Sequence, residues 1–247
     1  MAADDRDGYF GEQVAAEYDQ SAGGMFDPAV VEQTVDVLAD LAGGGRALEL
    51  AIGTGRIALP LARRGVPVHG IDMSEAMVAR LRAKPGGDAI GVTIGDFATA
   101  RVEGTFSLAY LVFNTIMNLT TQDAQVDCFA NAAAHLVPGG RFVIETMVPD
   151  LRLLPPGQTA VPFKIGPAEC AFDVYDVATQ AMSSNYVSMS GDRPEFSSIP
   201  FRYAWPAELD LMARLAGMRL AERWADWSRE PFTNESRKHV SVWVKPA

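Results

Sequence analysis

Glu49-Leu50-Ala51-Ile52-Gly53-Thr54-Gly55-Arg56 joins a short apolar run, Arg46 to Ala51, to a helical stretch, Arg56 to Arg64, through two glycines. An apolar run bounded by glycine reads as a buried parallel strand. Glycines let the backbone approach a ligand closely, and the start of a helix offers unpaired N–H groups and a partial positive charge. The turn is therefore a candidate ligand cradle. Gly53-x-Gly55-x-x-Ala58 also comes close to the dinucleotide fingerprint of dehydrogenases, so the turn alone does not select its ligand.

Working outward, the same alternation recurs on both sides. Residues 27–42 read as a helix capped by Asp27, opened by Pro28 and ended by Gly43. After Gly65, Val66 to Ile71 reads as strand and Ser74 to Ala83 as helix, with Ser74 as its cap. Ile90 to Ile94 and Ser107 to Phe113 are strand-like, and Thr121 to Leu136 is helical. Pro138-Gly139-Gly140 then precedes a strand from Arg141 to Thr146. Strand and helix in regular rotation imply a doubly wound α/β fold around a mostly parallel sheet.

Residues 150–204 break this rhythm. Prolines stand at 155, 156, 162 and 167. Beyond them Cys170 to Val177, Ala181 to Ser190 and Glu195 to Trp205 carry alternating, β-branched or aromatic residues. An inserted antiparallel meander of three or four strands is expected there. Helix returns at Pro206 to Ala216, with strands at Met218 to Trp224 and His239 to Val244. The expected organisation is one α/β unit, residues 1–149 and 205–247 with an N-terminal helical lid, and a meander that serves as substrate cap or oligomer contact.

Composition narrows the function. The 247 residues carry 21 Lys plus Arg against 31 Asp plus Glu, a formal charge of −10. Nucleic-acid binders usually show a basic footprint, so none is expected as partner. No apolar run approaches the roughly 18 residues of a membrane span. The acidic first residues do not resemble a signal peptide, so a cytoplasmic protein is expected. Cys128 and Cys170 read as small core residues, and no metal site is indicated.

Asp72 ends the second strand, where a carboxylate can accept both ribose hydroxyls of an adenosine. NAD and S-adenosylmethionine (SAM) share that ribose. Gly95-Asp96-Phe97 follows the third strand and offers an acid for an adenine amino group beside a backbone N–H for the ring. Phe113-Asn114-Thr115-Ile116-Met117-Asn118 follows the fourth, at the sheet edge where open α/β folds bind ligands.

With these spacings the chain resembles the class I SAM-dependent methyltransferases over nearly its whole length. The resemblance implies a seven-stranded sheet ending in a reversed hairpin. It implies that Glu49 to Gly55 hold the methionine part of SAM, with Ala51 standing where a glycine is usual. It also implies that Asp72 and Met73 meet the ribose and adenine, and that Asp96 and Phe97 read the adenine. A finer likeness is to bacterial methyltransferases acting on amines of aminosugars and lincosamides, through Tyr9-Phe10, Tyr18-Asp19 and the 150–204 insertion.

Methyl transfer from a sulfonium needs alignment, and aromatic faces attract the sulfonium charge. Tyr9, Phe10, Tyr18 and Phe113 are the candidates for that lining. His69, His135 and His239 all fall away from the carboxyl-edge loops, which disfavours a hydroxyl acceptor needing a base. An amine of a small molecule is expected instead, with O-methylation as the alternative. Glu145 and Tyr9 are the candidate catalytic groups. Phe10, Asn114, Asn118, Met147, Tyr203 and Trp227 are the candidate acceptor contacts. An NAD-dependent oxidoreductase, a non-catalytic SAM-binding module, a macromolecular acceptor and a homo-oligomer remain open on sequence alone.

Overall fold

The structure is a computed structural model that describes residues 9–21, 23–189 and 193–247. The acidic leader and Ser190 lie outside the described residues. The chain order is α1 (Glu12–Ser21), α2 (Pro28–Ala42), β1 (Ala47–Leu50), α3 (Ala58–Arg63), β2 (Val68–Asp72), α4 (Glu75–Arg82) and β3 (Gly91–Ile94). It continues β4 (Phe106–Leu111), α5 (Gln122–His135), β5 (Leu136–Met147), then β6 (Ala160–Ile165), β7 (Glu169–Tyr175), β8 (Ala181–Ser188) and β9 (Glu195–Arg202). α6 (Pro206–Leu215), β10 (Arg219–Trp224) and β11 (Lys238–Val244) complete it.

Seven strands form one sheet in the order β10-β11-β5-β4-β1-β2-β3. β11 runs antiparallel to both neighbours, and the other pairings are parallel. Period-two alternation sends successive side chains to opposite faces. Leu48, Leu50, Ala109 and Leu111 pack on the side of α5 and α6, whereas Ala47, Leu108 and Tyr110 meet α2 and α3. Both faces are covered, which is why β1 is buried at all four positions.

Local signals place the helices. Asp27 Oδ1 accepts from Ala29 N at 2.9 Å and Gly43 closes α2 at φ 58°. Ser74 and Thr121 cap α4 and α5 through their hydroxyls. No described helix is long and apolar enough to cross a membrane.

Two boundaries differ clearly from expectation. β5 starts at Leu136 rather than Arg141, because Gly139 and Gly140 exchange backbone hydrogen bonds with Lys245 at 2.8 and 2.9 Å, although Gly139 itself is left-handed at φ 80°. α3 starts at Ala58, since Gly55 to Ile57 belong to the glycine turn. The separate antiparallel sheet has four strands, β6-β7-β8-β9. Its edge strand β6 contains Pro162, which sits at a register shift where the missing N–H costs little. Cys128 is fully buried as expected, while Cys170 is only partly so.

The second sheet is fixed to the α/β unit by a buried polar network. Arg202 bonds Gln125 Oε1 at 2.6 Å and Glu208 at 2.7 Å, and Gln180 Nε2 reaches Glu208 at 2.7 Å. Gln125 Nε2 in turn donates to the Arg202 carbonyl at 3.0 Å. A buried charge needs such partners to be tolerated.

Candidate active site

β1 lies between β4 and β2, so the chain leaves the sheet in opposite directions on the two sides of β1's carboxyl end. Open α/β sheets bind ligands in that crevice. The glycine turn takes left-handed backbone at Ala51 (φ 59°), Gly53 (φ 54°) and Gly55 (φ 78°). For Ala51 this conformation costs roughly 1–2 kcal/mol. The usual glycine would avoid that strain. At Gly55 a Cβ would stand 2.3 Å from Leu81 Cδ1, so α4 packs against bare backbone there.

Asp72 closes the turn from the next strand. Gly53 N donates to its Oδ2 at 2.6 Å, and Ser74 N donates to its Oδ1 at 2.9 Å. Glu49 lies beneath, buried at 3% exposure, and accepts from the Tyr110 hydroxyl at 2.9 Å. Burial pushes the Glu49 carboxyl up from 4.5 to about 8, against the pull of Tyr110, Arg56 and the Ala58 N–H.

Along the same edge Met73, Ile94 and Phe113 are 49%, 48% and 43% exposed. Large apolar side chains left open at a crevice form a surface for a flat ligand. Asp96 is exposed and accepts from Ala98 N at 2.8 Å. Phe97 is different: its ring is buried in the core.

The N-terminal segment folds over this crevice. Tyr9, Phe10, Tyr18 and Phe26 make a chain of edge-to-face contacts with centroids 5.3, 6.2 and 6.1 Å apart. It is fastened to the turn by Thr54 Oγ1 on Asp19 at 2.6 Å, Lys84 on Asp19 at 2.5 Å and Ser74 Oγ on the Phe10 carbonyl at 2.7 Å. The Arg56 guanidinium sits over Phe26 and Phe113, 5.8 and 5.5 Å from the ring centroids.

After β4 two consecutive non-glycine residues, Phe113 (φ 56°) and Asn114 (φ 61°), are left-handed. Such strain persists only where neighbours impose it. Here Glu145 does so: its Oε2 accepts from Phe113 N at 3.2 Å and its carbonyl from Asn114 N at 3.1 Å. Asn114 Oδ1 accepts from Met147 N at 2.7 Å. Glu145 thus holds a turn and is not among the groups lining the adjoining cavity.

That cavity measures about 470 Å³. Tyr9, Phe10, Tyr18, Phe113, Asn114, Asn118 and Met147 line it from the α/β side, so these expected site residues converge. Tyr203 and Trp227 do not reach it. Tyr203 lies in the core 5.7 Å from the Tyr175 ring, and Trp227 packs with Trp224 and Val240 on the α2 side of the sheet.

The facing wall comes from the antiparallel sheet: Phe163, Asp173, Met182, Ser184, Tyr186, Ile199 and Phe201. Asp173, Ser184 and Ile199 stand in one cross-strand row, and Met182 and Phe201 in the next. Ser184 Oγ donates to Asp173 Oδ1 at 2.6 Å. Burial raises the Asp173 carboxyl, against hydrogen bonds from Ser184 and Tyr175 and with the Asp150 charge. Sequence reasoning missed Asp173. Its signal was a carboxylate on the inward phase of β7, two residues from Ala171 and Tyr175.

The histidines serve the scaffold. His69 Nε2 pairs with Thr93 Oγ1 at 2.9 Å, and His135 bonds Val102 N and the Asn131 carbonyl. His239 is buried against Ser241, and burial pushes its pKa down to about 3. Among the described residues no His, Lys or Arg lines the cavity.

Comparison with known proteins agrees with this geometry. Residues 47–140 match the family model described as a methyltransferase domain. The structure of the CcbJ methyltransferase from Streptomyces caelestis superposes with a TM-score of 0.84 at 37% identity, covering 96% of this chain and 98% of that one. A cypemycin N-terminal methyltransferase from Streptomyces sp is 25% identical over 81% of this chain and 82% of its own length. A ubiquinone biosynthesis O-methyltransferase from Sinorhizobium fredii is 31% identical over 42% of each chain. The chain belongs to the class I SAM-dependent methyltransferases.

Proposed function

We propose that this enzyme methylates a nitrogen of a small amine held in the cavity between the α/β unit and the antiparallel sheet. The observation that carries the proposal is the cavity's charge: it presents one carboxylate, Asp173, and no imidazole, lysine or arginine among the described residues. A hydroxyl acceptor wants a base with a pKa near neutrality. An amine attacks through its own lone pair.

The residues of the crevice fit SAM, which supplies a sulfonium-bound methyl group when bound. Gly53 and Gly55 leave backbone open beside the methionine part, and Asp72 offers carboxylate oxygens to the ribose. Met73 and the Phe97 backbone flank the adenine, with Asp96 as acceptor for its amino group. Tyr18 and Phe113 present aromatic faces toward the sulfonium side. Asn114 and Asn118 orient the acceptor, and Met147 and Phe10 wall it in. Burial raises the Tyr9 phenol, so Tyr9 acts as a hydrogen-bond donor at neutral pH. The α1 segment acts as a lid and the antiparallel sheet as the acceptor cap. The net charge of −10 argues for a free small molecule over nucleic acid.

Similarity to an enzyme named for N-terminal methylation across four-fifths of the chain supports nitrogen. The shorter match to a ubiquinone O-methyltransferase favours oxygen, but it spans only 42% of the chain. Incubation with SAM and matched panels of amines and phenols tests the choice. N-methylated products detected by mass spectrometry are expected; turnover of phenols alone would reject nitrogen.

A further inference from the structure

We infer that Asp173 is the specificity-determining group of the acceptor site: it receives the N–H of an acceptor that arrives as an ammonium ion, takes its proton, and selects cationic over neutral or anionic molecules. This rests on the N-methyltransferase reading and names the form in which the amine is recognised.

Five observations converge on it. Asp173 is the one carboxylate lining the cavity among the described residues. It lies in a wall where Phe163, Met182, Ile199 and Phe201 outnumber the polar Ser184 and Tyr186, so a charge there stands in largely apolar surroundings where electrostatic contacts are strengthened. Its position is fixed by Ser184 Oγ at 2.6 Å and by the cross-strand row it shares with Ser184 and Ile199. The opposite wall brings aromatic faces, Tyr9 and Phe10 among them, that suit a cation and its apolar body. A volume of about 470 Å³ accommodates a drug-sized molecule.

The chemistry balances without another reactant. The ammonium N–H points at an Asp173 oxygen and its proton passes to the carboxylate, leaving a neutral amine. The nitrogen lone pair forms the N–C bond as the C–S bond breaks, and that electron pair remains on sulfur. The product leaves as an N-methylammonium, and Asp173 returns its proton to water. Burial, which raises the Asp173 carboxyl, favours its acceptance of the proton.

Calorimetry on the full chain saturated with S-adenosylhomocysteine tests the assignment with three probes of one shape: cyclohexylmethylamine, cyclohexylmethanol and cyclohexanecarboxylate. The amine is expected to bind about ten-fold or more tightly than the alcohol, as a charge-assisted hydrogen bond implies, and the carboxylate weakest. Asp173→Asn should erase the difference between amine and alcohol while leaving S-adenosylhomocysteine affinity unchanged. Ser184→Ala, which keeps the carboxylate but removes one of its two hydrogen bonds, should narrow the difference without erasing it and covers the case of an unfolded Asn variant. Equal binding of amine and alcohol, preference for the carboxylate, binding of none of the three, or discrimination that survives Asp173→Asn overturns the inference. Failure of the wild-type chain to bind S-adenosylhomocysteine would instead strike the methyltransferase reading beneath it.

Discussion

Glu49 stands at the base of the glycine turn with its carboxyl raised to about 8 by burial, so the folded chain keeps a proton that the unfolded chain loses above about 4.5. Between those values the native state binds more protons, and stability falls as pH rises. Below the unfolded value both states are protonated; above the folded value both are ionised, and the curve flattens. His239, held near 3 by burial, contributes the opposite slope up to the unfolded imidazole value of about 6.5, so the urea midpoint of the wild type should decline chiefly from about pH 6.5 to about pH 8. Glu49→Gln, neutral throughout, should lose most of that slope, whereas parallel curves for the two proteins would show that Glu49 is charged in the fold. The same scale explains what sequence could and could not reveal about single residues. Gly53, Asp72 and Phe113 were legible because their positions follow from one strand end each. Asp173 was not, because its importance depends on a cavity built by three separated segments.

At the scale of elements, the turn after β4 is held by its neighbour β5. Glu145 accepts from Phe113 N, the Asn114 side chain ties back to Met147 N, and Lys238 Nζ lies 3.9 Å from the Glu145 carboxylate. Glu145→Ala should lower stability by about 1 kcal/mol, the usual worth of such a bond at a half-open site. It should also raise the acceptor KM more than it lowers kcat, since Phe113 and Asn114 lose their imposed geometry. Glu145→Gln, which keeps an acceptor oxygen, should recover most of both. A loss of kcat by a thousand-fold in a folded Glu145→Gln enzyme would restore the direct catalytic role that sequence position suggested.

Elements were legible where a local pattern is complete: β1 and β4 as short apolar runs, α2 with its cap and closing glycines. β6 was hidden because proline reads as a breaker, yet an edge strand tolerates it. Tyr203 and Trp227 were misplaced for a related reason. Local periodicity says that an aromatic residue is turned inward, but not which of two cores or one cavity it enters.

Across the whole molecule, three parts meet at one crevice. The seven-stranded sheet lies beneath it, α1 packs against it through Asp19 and the aromatic series, and the antiparallel sheet, tied on by the Arg202–Glu208–Gln125 network, forms the facing wall of the cavity. Function follows from that convergence more than from any one motif. The glycine turn and the Asp72 carboxylate are linked directly by the 2.6 Å bond from Gly53 N, so they form one binding unit. Calorimetric titration of SAM into the wild type and into Asp72→Asn probes this unit, with circular dichroism to verify that both are folded. Binding by the wild type and a loss of about ten-fold or more in the variant is the expected result, given the worth of hydrogen bonds to a charged acceptor. Unchanged affinity in a folded Asp72→Asn protein would contradict the placement of the cofactor in this crevice.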